Sequence, residues 1–131
     1  MTRLRQKGFE PEAIQAALDR LDEVGLLSDE RFAERYAEES AGRGLAPRRI
    51  QGELRRRGVE PGLAAAASTA SEEMEWERAR AFARARAARM TMSGPEAIAR
   101  RVAGQLARRG YPGEICRTIA AEVSGLEPQD P

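Results

Sequence analysis

Three times in 131 residues the chain repeats one short pattern: a leucine, two variable residues, a basic residue, a glycine and an apolar residue. The copies are Leu4-Arg5-Gln6-Lys7-Gly8-Phe9, Leu54-Arg55-Arg56-Arg57-Gly58-Val59 and Leu106-Ala107-Arg108-Arg109-Gly110-Tyr111, separated by 50 and 52 residues. A glycine in this place ends a helix, and the apolar residue after it packs back on the preceding turn. Proline or glycine follows each copy (Pro11, Pro61, and Pro112 with Gly113). Apolar or small residues then recur at shared offsets: Ile14, Ala64 and Cys116, followed by Ala17, Ala67 and Ile119. A further helix precedes the second and third copies, over Asp29–Ala41 and Glu72–Arg89. The unit is therefore three helices in about fifty residues, which buries its apolar face against neighbours. A plain bundle with recurrent glycine caps is the alternative, and the near-constant register favours repeats.

The expected fold is all-α: tandem three-helix repeats in an elongated array of about seven helices, the first repeat incomplete. Its divisions are a partial repeat over 1–27, a second over 28–71, a third over 72–124, and a disordered tail over 125–131. Pro11, Pro47, Pro61 and Pro95 fit helix first turns. Ile14, Ala17, Leu18 and Leu21 form one apolar stripe, closed by Val24-Gly25-Leu26-Leu27. Ser28 then reads as an N-cap, with Asp29 and Glu30 opposing the dipole of a new helix. That helix turns Phe32, Ala33, Tyr36 and Ala37 inward. Ile50 and Leu54, Trp76, Ala79, Phe82 and Ala83, Val102 and Leu106, and Ile115 and Ile119 supply later anchors. Trp76, Phe82, Phe32 and Tyr36 lie in apolar stripes, so they are expected as core residues rather than base-stacking platforms.

Chemistry is narrowly bounded. There is no histidine, which removes the usual general base and the commonest metal ligand. The single cysteine, Cys116, excludes an internal disulfide and a multi-cysteine zinc site. No nucleophilic triad, glycine-rich phosphate loop or metal cluster appears. No apolar run approaches membrane-spanning length and no signal-peptide pattern is present. The expectation is a cytoplasmic, monomeric, non-enzymatic binding protein with no cofactor and no membrane association.

Charge supplies the candidate site. Residues 41–60 hold 6 basic and 2 acidic side chains, and residues 78–117 hold 10 and 2. Acidic-rich segments lie between and around them. All basic residues but Lys7 are arginines, which suit bidentate contacts with phosphate or carboxylate. The candidate partner-binding residues are Arg43, Arg48, Arg49, Arg55, Arg56 and Arg57 on a first surface, and Arg100, Arg101, Arg108 and Arg109 on a second. Salt bridging on solvated faces is the competing reading for any one of them. Arg78, Arg80, Arg84, Arg86 and Arg89 wind around one helix and cannot all share a face.

The stretch Leu26-Leu27-Ser28-Asp29-Glu30-Arg31-Phe32-Ala33, continued by Arg43-Gly44-Leu45-Ala46-Pro47-Arg48-Arg49-Ile50 and Glu53-Leu54-Arg55-Arg56-Arg57-Gly58-Val59, resembles the RecX family of bacterial recombinase regulators. Arg108-Arg109-Gly110-Tyr111 is similar to that family's closing motif, and the resemblance spans about residues 3–124. It implies a leading helix before the first Lys-Gly-aromatic segment, where this chain has Met1. It also implies a modulator of the RecA recombinase that binds the RecA filament on single-stranded DNA. Such proteins inhibit strand exchange, ATP hydrolysis and coprotease activity in DNA repair and the SOS response. The alternative from charge alone is a RecA-independent binder of single- or double-stranded DNA through the phosphate backbone.

Overall fold

Proline, absent between Pro11 and Pro47, opens four of the six described helices. In the computed structural model, which describes residues 10–126, the helices are α1 (Pro11–Gly42), α2 (Pro47–Arg56), α3 (Pro61–Ser68), α4 (Glu72–Ala87), α5 (Pro95–Arg108) and α6 (Gly113–Ser124). The described residues contain six helices and no strand. Pro47, Pro61 and Pro95 each occupy a first-turn position, where a missing N–H costs nothing. Ser71 caps α4, its hydroxyl accepting from Met74 N at 3.1 Å, and Glu72, Glu73 and Glu75 crowd the first turn against the positive dipole end.

The expected break near Gly25 is absent, which reduces about seven helices to six. α1 runs on through Gly25 and Ser28, so Ser28 is not an N-cap. A glycine within a helix costs about 1 kcal/mol, too little to stop a helix that no proline interrupts. The break is suggested by Gly25 and by Ser28 with Asp29 and Glu30, residues that also suit a helix start.

The chain divides into two compact units, Met1–Phe32 and Ala33–Pro131. In the first, Ile14 is buried, but Leu18 is 37% exposed, Leu21 67% and Phe32 47%. The expectations that Leu18 and Leu21 line a buried stripe and that Phe32 anchors a core are thus corrected. The Leu4–Phe9 copy of the repeat lies outside the described residues, as does most of the tail.

The second unit contains two three-helix cores. Ala33, Ala37, Leu45, Ile50, Leu54, Val59 and Ala64 form one, joining the end of α1 to α2 and α3. Ala79, Ala83, Val102, Leu106, Tyr111, Ile115, Cys116, Ile119 and Ala120 form the other, from α4, α5 and α6, with Trp76 and Phe82 partly buried against it. The neighbours Leu45 and Ala46 point into different cores: Leu45 into the first, Ala46 into the second. Three helix ends share one hydrogen-bonded cap. Leu45 N donates to Ser40 O, Val59 N to Leu54 O and Tyr111 N to Leu106 O, each beside a glycine of positive φ: Gly44, Gly58 and Gly110. Cys116 is buried, and burial raises its thiol pKa.

Candidate phosphate- and partner-binding surface

The two cores meet along a seam made largely by main-chain carbonyls. Ala46 N donates to Arg109 O at 2.9 Å. Tyr111 Oη donates to Gly44 O at 2.8 Å, and the Arg109 guanidinium to Arg43 O at 2.7 Å. The Arg49 guanidinium donates to Arg108 O, and Arg78 to Leu45 O at 3.2 Å. The approach is close. A Cβ on Gly110 would lie 2.7 Å from Arg49 Cβ, and one on Gly44 would lie 2.7 Å from Phe82 Cδ2. Glycine is required at both positions by contact as well as by φ.

Arginines from both candidate surfaces therefore gather at one place. A concavity of about 690 Å³ is lined by Leu45, Arg49, Phe82, Arg86, Gln105, Arg108 and Arg109. A second, of about 360 Å³, shares Phe82 and Arg86 with it and adds Arg43, Arg78 and Arg89. No carboxylate lines either one among the described residues. The guanidinium carbons of Arg109 and Arg86 stand 4.5 and 5.0 Å from the centre of the Phe82 ring. Each cation gains from the ring's electron-rich face. Burial pushes the Arg109 pKa down, and Arg86, Arg43 and Arg49 push it further, while Tyr111 acts the other way.

The structure thus brings together Arg43, Arg49, Arg108 and Arg109 from the ten candidates. Arg48, Arg55, Arg56, Arg100 and Arg101 are exposed and line neither concavity. Arg57 is also exposed and sits over Tyr36, 4.7 Å from the ring centre. Arg78, Arg86 and Arg89 were not among the candidates. The signal for two of them was present: Arg78, Phe82 and Arg86 follow i, i+4 spacing on one face of α4, and Arg89 lies in the turn just after its end. Arg80 belongs to another face, where it pairs with Glu122 at 2.9 Å.

Tandem three-helix cores with a basic seam define the class: a helical repeat protein with arginines gathered between its cores. Comparison with known proteins identifies the family. Residues 28–67 match the family model described as RecX, second three-helix domain. The chain is 40% identical over 121 residues to a Regulatory protein RecX of Thermobifida fusca, covering 91% of this chain and 65% of that one. It is 36% identical over 121 residues to the RecX of Amycolatopsis mediterranei, 91% and 69% covered, and 38% identical over 130 residues to that of Streptomyces coelicolor, 97% and 69% covered. The chain spans about two thirds of the length of these relatives. Its fold is similar to the crystal structure of RecX from Lactobacillus salivarius, with a TM-score of 0.65 at 20% identity, covering 95% of this chain and 82% of that one. The chain belongs to the RecX family of regulatory proteins. Among the described residues no helix is long and apolar enough to cross a membrane.

Proposed function

We propose that this chain is a cytoplasmic regulator that binds the RecA filament on single-stranded DNA and restrains its strand exchange, ATP hydrolysis and coprotease activity. Family membership motivates the partner. The observation that carries the mode of action is the gathering of arginines from both cores around Phe82 with no carboxylate lining the site. A filament groove made of acidic protein surface and phosphate is its natural complement. The repeat divisions 1–27, 28–71 and 72–124 belong to the same proposal, with the second and third repeats as the contacting pair. Arg48, Arg55, Arg56, Arg57, Arg100 and Arg101 extend the contact on the exposed faces of α2 and α5.

The test is single-strand-dependent ATP hydrolysis by RecA, titrated with the purified chain. The expected result is a dose-dependent fall, weakened by replacing Arg43 and Arg108 with alanine. An unchanged rate at several-fold excess over filament subunits would overturn the proposal. The absence of carboxylates from the linings of both concavities also favours the second reading, direct DNA binding without RecA. Under it, bare-DNA affinity falls steeply with added salt.

A further inference from the structure

We propose that the larger seam concavity is a binding site for a phosphate-type oxyanion, held jointly by Arg49 of α2 and by Arg86, Arg108 and Arg109 of α4 and the α5 terminus, and that its occupancy ties the two three-helix cores together. This inference stands whether or not the chain acts on RecA.

The site is built from both sides of the seam. Arg49 comes from the first core and the other three arginines from the second. Arg49 and Arg109 already donate across the seam, to Arg108 O and Arg43 O. A guanidinium carries five N–H donors, so each keeps donors for a ligand while its carbonyl bond stays in place. An oxyanion bound here would be bridged by both cores without breaking a seam contact. Like charges held close together gain most from a shared counter-anion.

The number of forks points to phosphate rather than carboxylate. A carboxylate offers two oxygens, which one guanidinium fork satisfies. A phosphate group offers more oxygens in a tetrahedral arrangement, able to engage several guanidiniums at once. Gln105 completes the lining, and its Oε1 is buried without a hydrogen-bond partner.

Phe82 limits what else can be recognised. Arg86 and Arg109 both lie over its ring. A nucleobase would have to displace a guanidinium to stack there, so the site reads charge and not base identity. The adjoining concavity, with Arg43, Arg78 and Arg89, continues the basic lining past Phe82. The phosphate can therefore come from a free polyphosphate or from a nucleic-acid backbone.

Thermal melting and calorimetric titration of the full chain test this with three probes: pyrophosphate, oligodeoxynucleotides of different sequence, and polyglutamate. Pyrophosphate is expected to raise the melting temperature. Arg86→Gln with Arg108→Gln should weaken its binding by about tenfold, the loss of one or two charged hydrogen bonds, because neither side chain makes a seam bond to a carbonyl. If that pair fails to fold by circular dichroism, Arg108→Gln alone, at an exposed position, takes its place. Exchange of the Ala46 N–H, which bonds Arg109 O across the seam, should slow with pyrophosphate in the parent chain and not in the variant. Oligonucleotides that displace pyrophosphate with equal affinity for every sequence identify the backbone as a source. Pyrophosphate binding without displacement identifies a free polyphosphate. An equal pyrophosphate response in the variant, or polyglutamate binding as tight as pyrophosphate, overturns the site. Binding with unchanged Ala46 exchange overturns the tie between cores.

Discussion

Tyr111 reaches across 67 residues of sequence to donate its phenolic hydrogen to the carbonyl of Gly44, at 2.8 Å. Both ends are buried, so the bond satisfies a donor and an acceptor that water cannot reach. Burial pushes the phenol's pKa up to about 12, Glu75 pushing the same way and Arg78 and Arg109 opposing.

Tyr111→Phe leaves the Gly44 carbonyl without that donor. The expected loss is about 1–3 kcal/mol by urea denaturation. A raised pKa also fixes a pH dependence. Stability from the neutral phenol is complete below the ordinary value of 10.0 and declines as pH rises towards about 12. The parent should therefore lose stability above about pH 10 faster than the phenylalanine variant. Parallel urea curves in alkali would show that the phenol is not the cause.

Gly110 and Gly58 occupy the same place in their caps, with φ of +97° and +91°. Alanine at either pays a left-handed backbone penalty of about 1–2 kcal/mol. At Gly58 the added Cβ meets nothing within 4 Å, but at Gly110 it meets Arg49 Cβ at 2.7 Å. Gly110→Ala should therefore be the more damaging, by a further increment of about 1–3 kcal/mol. Equal denaturation midpoints for the two variants would contradict the close seam.

The Arg80–Glu122 pair joins α4 to α6 through two hydrogen bonds, at 2.9 and 3.2 Å. The bond to Arg80 holds the Glu122 pKa below the usual carboxylate value. Its contribution is present above the ordinary glutamate pKa and is lost as pH falls through the lowered one. The Glu122 side chain is 39% exposed, so Glu122→Gln should cost less than about 1 kcal/mol. The difference between variant and parent should vanish in acid and shrink in high salt.

Replacing Arg55, Arg56 and Arg57 together with alanine should leave helicity by circular dichroism unchanged. All three are exposed, and the largest structural loss is the Arg57–Tyr36 contact, about 0.5–1 kcal/mol. The proposed action on RecA should weaken. Loss of helicity with ATP hydrolysis still restrained would assign these arginines to the fold.

The three-helix unit was legible because its ends are written in glycine and proline, whose backbone limits do not depend on tertiary context. Leu54-Gly58-Val59 and Leu106-Gly110-Tyr111 form the caps that their spacing implies. The break at Gly25 was misread because a glycine followed by Ser28-Asp29-Glu30 has the chemistry of a helix start, and those residues are also tolerated inside a helix that no proline interrupts. Arg43, Arg49, Arg108 and Arg109 were legible as charges. Their convergence was not, since it depends on the seam. Ala46 shows why: a small residue between Leu45 and Pro47 reads as a loop, yet it is fully buried in the second core. Arg86 and Arg89 were hidden by a helix that carries arginine on several faces.

The seam described above is fastened to backbone oxygens: those of Arg43, Gly44, Leu45, Arg108 and Arg109 accept from the opposite side. Any residue supplies that oxygen. The joint thus places few demands on the side chains at positions 43 and 108, and a lineage can redraw the charge pattern there while the seam keeps its shape. At those two positions, the shape of the joint and the charge it displays are separately heritable.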